Sequence, residues 1–309
     1  MGKTFKTLDE QIDILKNKGL VIDDVESTKE ILLRENYFFV SGYRHLFMRS
    51  EQSRKFIENT NFREMYALFN FDRQLRNIIF KNILILENNI KSIIAYNLSK
   101  SFGIKEKNYL NPKNFNRDPE KSRQVNDLIK KMKRQIRING GQHSATSHYI
   151  TNYGYIPPWI VVKVLSFGIV SELYGILKVE NQKEIADIFG TGHQDLMGYL
   201  TILSNYRNLC AHEDIVFEHR AQKPIYNNKY HQMLNIPMMD GEYIYGKEDL
   251  FAVIIILKQL LREEDFTLML NEISYELDIL DGKLNVIPIN KVLDKMGFPE
   301  NYKELARLK

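Results

Sequence analysis

His193-Gln-Asp-Leu-Met-Gly-Tyr-Leu-Thr-Ile-Leu-Ser-Asn-Tyr-Arg-Asn-Leu-Cys-Ala-His212 is the stretch whose reading decides the fold. Leu196, Leu200, Leu203, Arg207 and Cys210 recur at spacings of three and four, which predicts one stripe of a helix running to about His212. Arg207 therefore stands in an otherwise apolar row. A guanidinium in such a row calls for a partner, because a cation is rarely buried unpaired. Asn208 lies one turn before His212 on a neighbouring face. The end of this helix gathers a fixed cation, an amide and an imidazole, three groups suited to handling a phosphate.

Outward from that stretch, the chain reads as further helices. Residues 61–101 predict one long helix or two in series. Asn61 and Glu64 offer a cap, and Phe69, Asp72, Leu75, Ile79, Ile83, Leu86, Ile90 and Ile94 form a core stripe. Glu87 stands at the edge of that stripe. Either it is an exposed carboxylate supported by Lys91 one turn on, or it faces Arg207 and holds the guanidinium in place. Pro158 suits a first helical turn, so a helix is expected from there to Phe167. Trp159, the single tryptophan, is read as a core anchor. A last strong helix is expected from about Glu248 to Leu270. Helices near 62–101, 158–177, 193–212 and 248–270 make an antiparallel bundle, and alternating patterns are scarce, so the expected class is all-α.

The remaining segments divide the chain. Residues 1–58 predict a small helical module, with Ser27 to Glu30 opening a helix and Tyr37-Phe38-Phe39-Val40 β-prone. A packing arm on the bundle is preferred there to a DNA-reading unit, since no Lys/Arg-rich recognition helix stands out. Residues 59–275 are taken as the bundle, with a basic helix inserted near 113–138, and residues 276–309 as a tail.

Composition narrows the function classes. The 309 residues are 44% hydrophobic and 27% charged, as in ordinary globular proteins. The single Cys offers no internal disulfide and suits a reducing, cytoplasmic setting. The start shows no signal peptide, Lys6 stands where a myristoylation pattern wants Ser or Thr, and the most apolar run, Phe251 to Leu257, is too short to span a bilayer; no membrane is expected. The net charge is +4, yet between Lys113 and Arg137 nine Lys or Arg face three Asp or Glu. That excess is either a solvated face or a strip that neutralises RNA phosphates, with Lys130, Lys131, Lys133, Arg134 and Arg137 as its outer members.

Five short motifs appear in order: Phe71-Asp72-Arg73-Gln74-Leu75-Arg76, Leu86-Glu87, Ile156-Pro157-Pro158-Trp159, Leu165-Ser166-Phe167-Gly168, and Arg207-Asn208-Leu209-Cys210-Ala211-His212. The last resembles the Arg-Asn-x-x-x-His signature of the HEPN superfamily of ribonucleases. The ordered series resembles the Abi (abortive infection) family of bacterial anti-phage proteins. The Arg-x4-His spacing alone is a weak signal and the series a specific one. The resemblance implies a HEPN-type bundle, a metal-independent endoribonuclease, a defence or toxin role, a homodimer with a shared site, and an RNA or protein inhibitor. No cofactor is expected. Arg207 and His212 would be catalytic, Asn208 would orient His212 or contact phosphate, and Glu87 would orient Arg207.

Rival chemistries fit these residues less well. Cys210 and His212 are two apart, so on a helix they point away from each other and form no nucleophile–base dyad. His212, Glu213, Asp214 and His219 match no common zinc spacing. His45, His143, His193 and His231 read as solvent or cap residues, with His148 held in reserve as a second acid–base group. Two non-enzymatic alternatives stay open: an RNA-binding protein without catalysis, and a helical protein-interaction module.

Overall fold

Asn61 starts the helix on which everything else is hung. Its side chain accepts from the Arg63 amide, and Glu64 reaches back to the Asn61 amide, a reciprocal cap that fixes where the helix begins. The computed structural model describes residues 4–50 and 52–308. Met1-Gly2-Lys3, part of the leader and lipidation reading, lies outside the described residues. In chain order the helices are α1 (Leu8–Asn17), α2 (Val25–Glu35), α3 (Tyr37–Gly42), α4 (Phe62–Phe102), α5 (Glu106–Tyr109), α6 (Ser122–Asn139), α7 (Ser144–Tyr153), α8 (Pro158–Val164), α9 (Phe167–Ile176), α10 (Val179–Asp187), α11 (His193–Ala211), α12 (Lys229–Met233), α13 (Leu250–Leu260), α14 (Glu263–Asp281) and α15 (Ile289–Met296). A two-residue hairpin, β1 (Met238–Met239) and β2 (Glu242–Tyr243), is the sheet among the described residues. The class is all-α, as the spacing of apolar residues requires.

α4 is one unbroken helix of 41 residues, roughly 60 Å long at 1.5 Å per residue. Each member of its expected stripe, from Phe69 to Ile94, is buried. α8, α9, α11 and α14 pack on it, and α9 and α10 pack on α11. The stripe of α11 is buried as expected at Leu196, Leu200, Leu203 and Cys210, while Arg207 is half-buried. Among the described residues no helix is long and apolar enough to cross a membrane.

Four local expectations need correcting. Tyr37 to Val40 are helical rather than extended: Asn36, at φ 68°, caps α3, and the β-prone Phe38 and Phe39 stay exposed. The helix from Pro158 stops at Val164, because Ser166 accepts from the Ile169 amide and starts α9 afresh. The helix expected over 248–270 is two, separated by extended Leu261 and Arg262. Glu263, Glu264 and Asp265 in the first turn of α14 complement a new helix N-terminus there. Trp159 is 43% exposed and donates to the Tyr149 hydroxyl, so it anchors no core.

The expected segment boundaries carry no gap in packing. Tyr43, Phe47 and Phe56 from the first segment share one hydrophobic core with α4. α14 runs through residue 275, and buried Glu64 accepts from the amides of Asn285 and Val286, tying the C-terminal segment to the start of α4.

Candidate functional site at the end of α11

α11 packs on α4, and its last turns meet the middle of that helix. Phe80 and Glu87 are seven residues apart on α4, two turns on one face. Arg207 lies along that face: its guanidinium is 5.5 Å from the Phe80 ring centre, and its Nε is 3.6 Å from Glu87 Oε2. Lys91, one turn further on, holds the other Glu87 oxygen at 2.6 Å. Glu87 is buried at 6% exposure rather than exposed, and it faces both cations, with the Lys91 contact the shorter of the two. The pair is incomplete, however. Glu87 Oε2 and Arg207 Nε are both buried and have no hydrogen-bond partner among the described residues. The rest of the guanidinium side chain is about one-third exposed.

His212 is the C-cap of α11 and is exposed, as is Asn208. The His212 amide donates to the Asn208 carbonyl, and the amides of Glu213 and Asp214 reach back to Cys210 and Leu209. These bonds close the helix in the Schellman manner, with Glu213 at φ 59° where glycine is usual. The structure thus places Arg207, Asn208 and His212 on one turn and its cap, with Glu87 and Phe80 beneath Arg207. Among the described residues no hydrogen bond joins the side chains of Asn208 and His212.

What fixes the far side of His212 is a network at Asp72, a residue read from the sequence only as a member of the core stripe. Asp72 is fully buried. It accepts from the Tyr43 hydroxyl at 2.6 Å, from the Phe217 amide at 2.8 Å, from the Val216 amide and from Arg76. Arg76 also donates to Tyr43 and to the Asp214 carbonyl. Burial pushes the Asp72 carboxyl upward, while Arg76, Tyr43 and the two amides pull it down. The motif Phe71 to Arg76 therefore grips the backbone just after His212, and Arg207 is held just before it. Arg73, in the same motif, pairs bidentately with Glu35 and ties α2 to this end of α4. An Asp in an apolar stripe with an Arg one turn later was the available signal.

The alternatives fare as follows. Burial pushes the Cys210 thiol up to about 12, which leaves no thiolate at neutral pH. His219 packs edge-on to Tyr206, its ring nitrogen 3.3 Å from the Asn205 amide, and burial lowers its pKa. Among the described residues no three His, Cys, Asp or Glu side chains gather as a metal-ligating group. His143 caps α7, as expected of it. His231 corrects its expectation: it is buried, stacked on Tyr243 and hydrogen-bonded to the Gly246 carbonyl. His148 is exposed on α7 beside Asn152, on a different element from His212.

On α6, Val125, Leu128, Ile129 and Met132 face inward, which leaves Lys130, Lys131, Lys133, Arg134 and Arg137 exposed. Lys131 is partly neutralised by Glu172 at 2.8 Å.

No curated protein and no solved structure matches the chain. The model of the Abi-like protein family matches residues 30–218, a span that takes in the Asp72 network, Glu87, α6 and the whole end of α11. The match covers more than half of the sequence, and the chain belongs to the Abi-like protein family.

Proposed function

We propose that this protein is a metal-independent endoribonuclease of abortive infection, acting through a HEPN-type site at the end of α11. The observation that carries the reading is the incomplete ion pair: Arg207 is cradled by Glu87 and Phe80, yet its side chain stays about one-third exposed, and exposed His212 caps the same helix. A guanidinium held for structure alone would have its donors satisfied within the protein. One held for a phosphate keeps donors free and is oriented from behind.

The chemistry follows from the groups present. An RNA 2′-hydroxyl attacks the adjacent phosphorus while an imidazole takes its proton. The bond from phosphorus to O5′ breaks, and O5′ receives a proton, giving a 2′,3′-cyclic phosphate and a 5′-hydroxyl. His212 supplies the imidazole for one of these proton transfers. Arg207 stabilises the charge that develops on the phosphoryl oxygens. Asn208 contacts phosphate, and Glu87 is a positioning residue for Arg207. Two proton transfers need two acid–base groups, and one chain offers one well-placed imidazole. A two-fold homodimer sharing one cleft brings in His212 of the partner subunit. The exposed cations of α6 bind the flanking RNA phosphates. An RNA or protein inhibitor restrains the activity until infection, since a free ribonuclease harms its own cell.

The test is induced expression of wild type, Arg207→Ala and His212→Ala. Each variant is expected to lose RNA cleavage and toxicity at unchanged soluble yield, and the wild-type cleavage to survive EDTA. Full toxicity of either variant would remove the assigned roles. RNA binding without cleavage by the wild type would favour a non-catalytic RNA-binding protein.

A further inference from the structure

Where α6, α7 and α8 meet, aromatic side chains gather in a row at the surface. Tyr149 and Tyr153 lie one turn apart on α7 with ring centres 5.2 Å apart, and His148 sits edge-on to both at 5.7 and 6.1 Å. Tyr155 continues the row 6.4 Å from Tyr153, with Lys105 over its face at 5.7 Å. Trp159, in the first turn of α8, joins the row through its hydrogen bond to Tyr149. Two of these rings are open to solvent, Tyr153 at 57% and Trp159 at 43% exposure, while Tyr149 and Tyr155 are half-buried. Aromatic side chains carry a large apolar surface, and leaving several of them together in solvent is costly unless something docks there.

The surroundings say what docks. Residues 128–171 contain no Asp or Glu at all, while Lys130, Lys131, Lys133, Arg134 and Arg137 fall within them. Carboxylates that touch this region are engaged: Glu172 by Lys131, Asp127 by Lys130, and Glu106 by the Ile156 amide. α7 abuts the end of α6 directly. Thr146 donates to the Asn139 carbonyl, and a side chain at Gly140 would meet Ile150 at 3.1 Å. The cationic face of α6 therefore runs into the aromatic row without an intervening acid. α8 in turn packs on α4, the helix that carries Glu87.

We propose that the α6–α7–α8 corner is a platform for single-stranded RNA, with unpaired bases stacking on Tyr153 and Trp159 and the backbone phosphates lying along α6. The inference rests on RNA being the substrate of the α11 site. It assigns that site a preference for unpaired RNA, because duplex bases are stacked on each other and have no free face to offer. A protein partner would use the aromatic row but would gain nothing from a cationic approach, unless that partner were acidic.

Trp159 is the single tryptophan, so its fluorescence reports on the platform alone. The probe is a short single-stranded RNA with every ribose 2′-O-methylated, which binds without being cleaved. The full chain is expected to show saturable quenching of Trp159. Tyr153→Ala should weaken the dissociation constant about fivefold to a hundredfold, and Tyr153→Phe, which keeps the ring, should restore it. The duplex of the same sequence and polyglutamate, a polyanion without bases, should quench far less. Equal quenching by either competitor, or Tyr153→Ala binding as tightly as wild type, would overturn the platform. Quenching as expected in a protein that cuts no RNA leaves the platform standing and removes the nuclease. Cleavage of unmodified RNA with no quenching removes the platform and leaves the nuclease.

Discussion

Two carboxylates of α4, Asp72 and Glu87, each face a guanidinium, and the two pairs are built to opposite ends. At Asp72 and Arg76 both partners are buried, and the carboxylate is saturated by a hydroxyl, two backbone amides and the guanidinium. At Glu87 and Arg207 the facing atoms are 3.6 Å apart and unpartnered among the described residues, and the cation is partly open. The first pair is finished, so it holds backbone in place; removing one half strands a buried charge. The second is unfinished, so it has donors left for something that is not protein. The two lie either side of His212 in the chain, one gripping residues 214–217 and the other holding residue 207. The fold fixes the helix end through the first and exposes its chemistry through the second.

Breaking the first pair should have the largest effect. Asp72→Ala leaves Arg76 buried and unpaired and frees the Val216 and Phe217 amides, and should cost about 3–5 kcal/mol of stability in urea unfolding. A cost near zero would mean the network holds nothing. Glu87→Gln sharpens the comparison from the other side. It should cost less stability than Asp72→Ala, because Gln keeps a polar group beside Lys91 and Arg207 is one-third exposed to water. RNA cleavage should nevertheless fall about a hundredfold, because Arg207 loses its orientation. Equal losses of stability in the two variants would erase the distinction between them.

A smaller effect is expected at Asp249, which caps α13 behind the same helix end. Its carboxylate accepts from the Gly246 and Ala252 amides and lies 3.5 Å from Arg220, and Gly297 packs so closely that no side chain fits there. Burial pushes its pKa up to about 6. The folded state thus binds the proton more tightly than the unfolded chain does. The stabilisation is complete at low pH and is lost as pH rises through about 6. Relative to Asp249→Asn, which does not titrate, the wild type should lose about 1 kcal/mol of stability between pH 5 and pH 7. A wild type that gains stability over Asp249→Asn as pH rises would reverse the sign of this argument. The smallest stability effect belongs to the exposed strip. Replacing Lys130, Lys131, Lys133 and Arg134 by Gln should leave the melting temperature nearly unchanged while flattening the salt dependence of RNA binding. An unaltered salt slope would return α6 to a solvated face.

How much of this was legible in the sequence depends on the range of the interaction. The stripes of α4 and α11 are local and repeat every three or four residues, so the helices and their buried faces could be read directly. Arg207 stood out because it broke such a stripe, and the carboxylate it needed was one of the two readings of Glu87. Of the Asp72 network only the Arg76 spacing was legible: its other partners are Tyr43 and the amides of Val216 and Phe217, and no pattern along the chain links those positions. The breaks at Ser166 and at Leu261-Arg262 lay inside apolar runs that periodicity joins; the hydroxyl cap and the acidic first turn were the fainter signals. Trp159 was misjudged because composition favours burying a lone tryptophan, whereas its neighbours on α7 hold it at the surface.

The most direct test of the central claim is the chemistry of the cut. Total RNA from cells expressing the wild type should carry new ends with 2′,3′-cyclic phosphate and 5′-hydroxyl groups, absent when His212→Ala is expressed at the same level. Ends bearing 5′-phosphate, or identical ends from the His212→Ala protein, would contradict transesterification at this site.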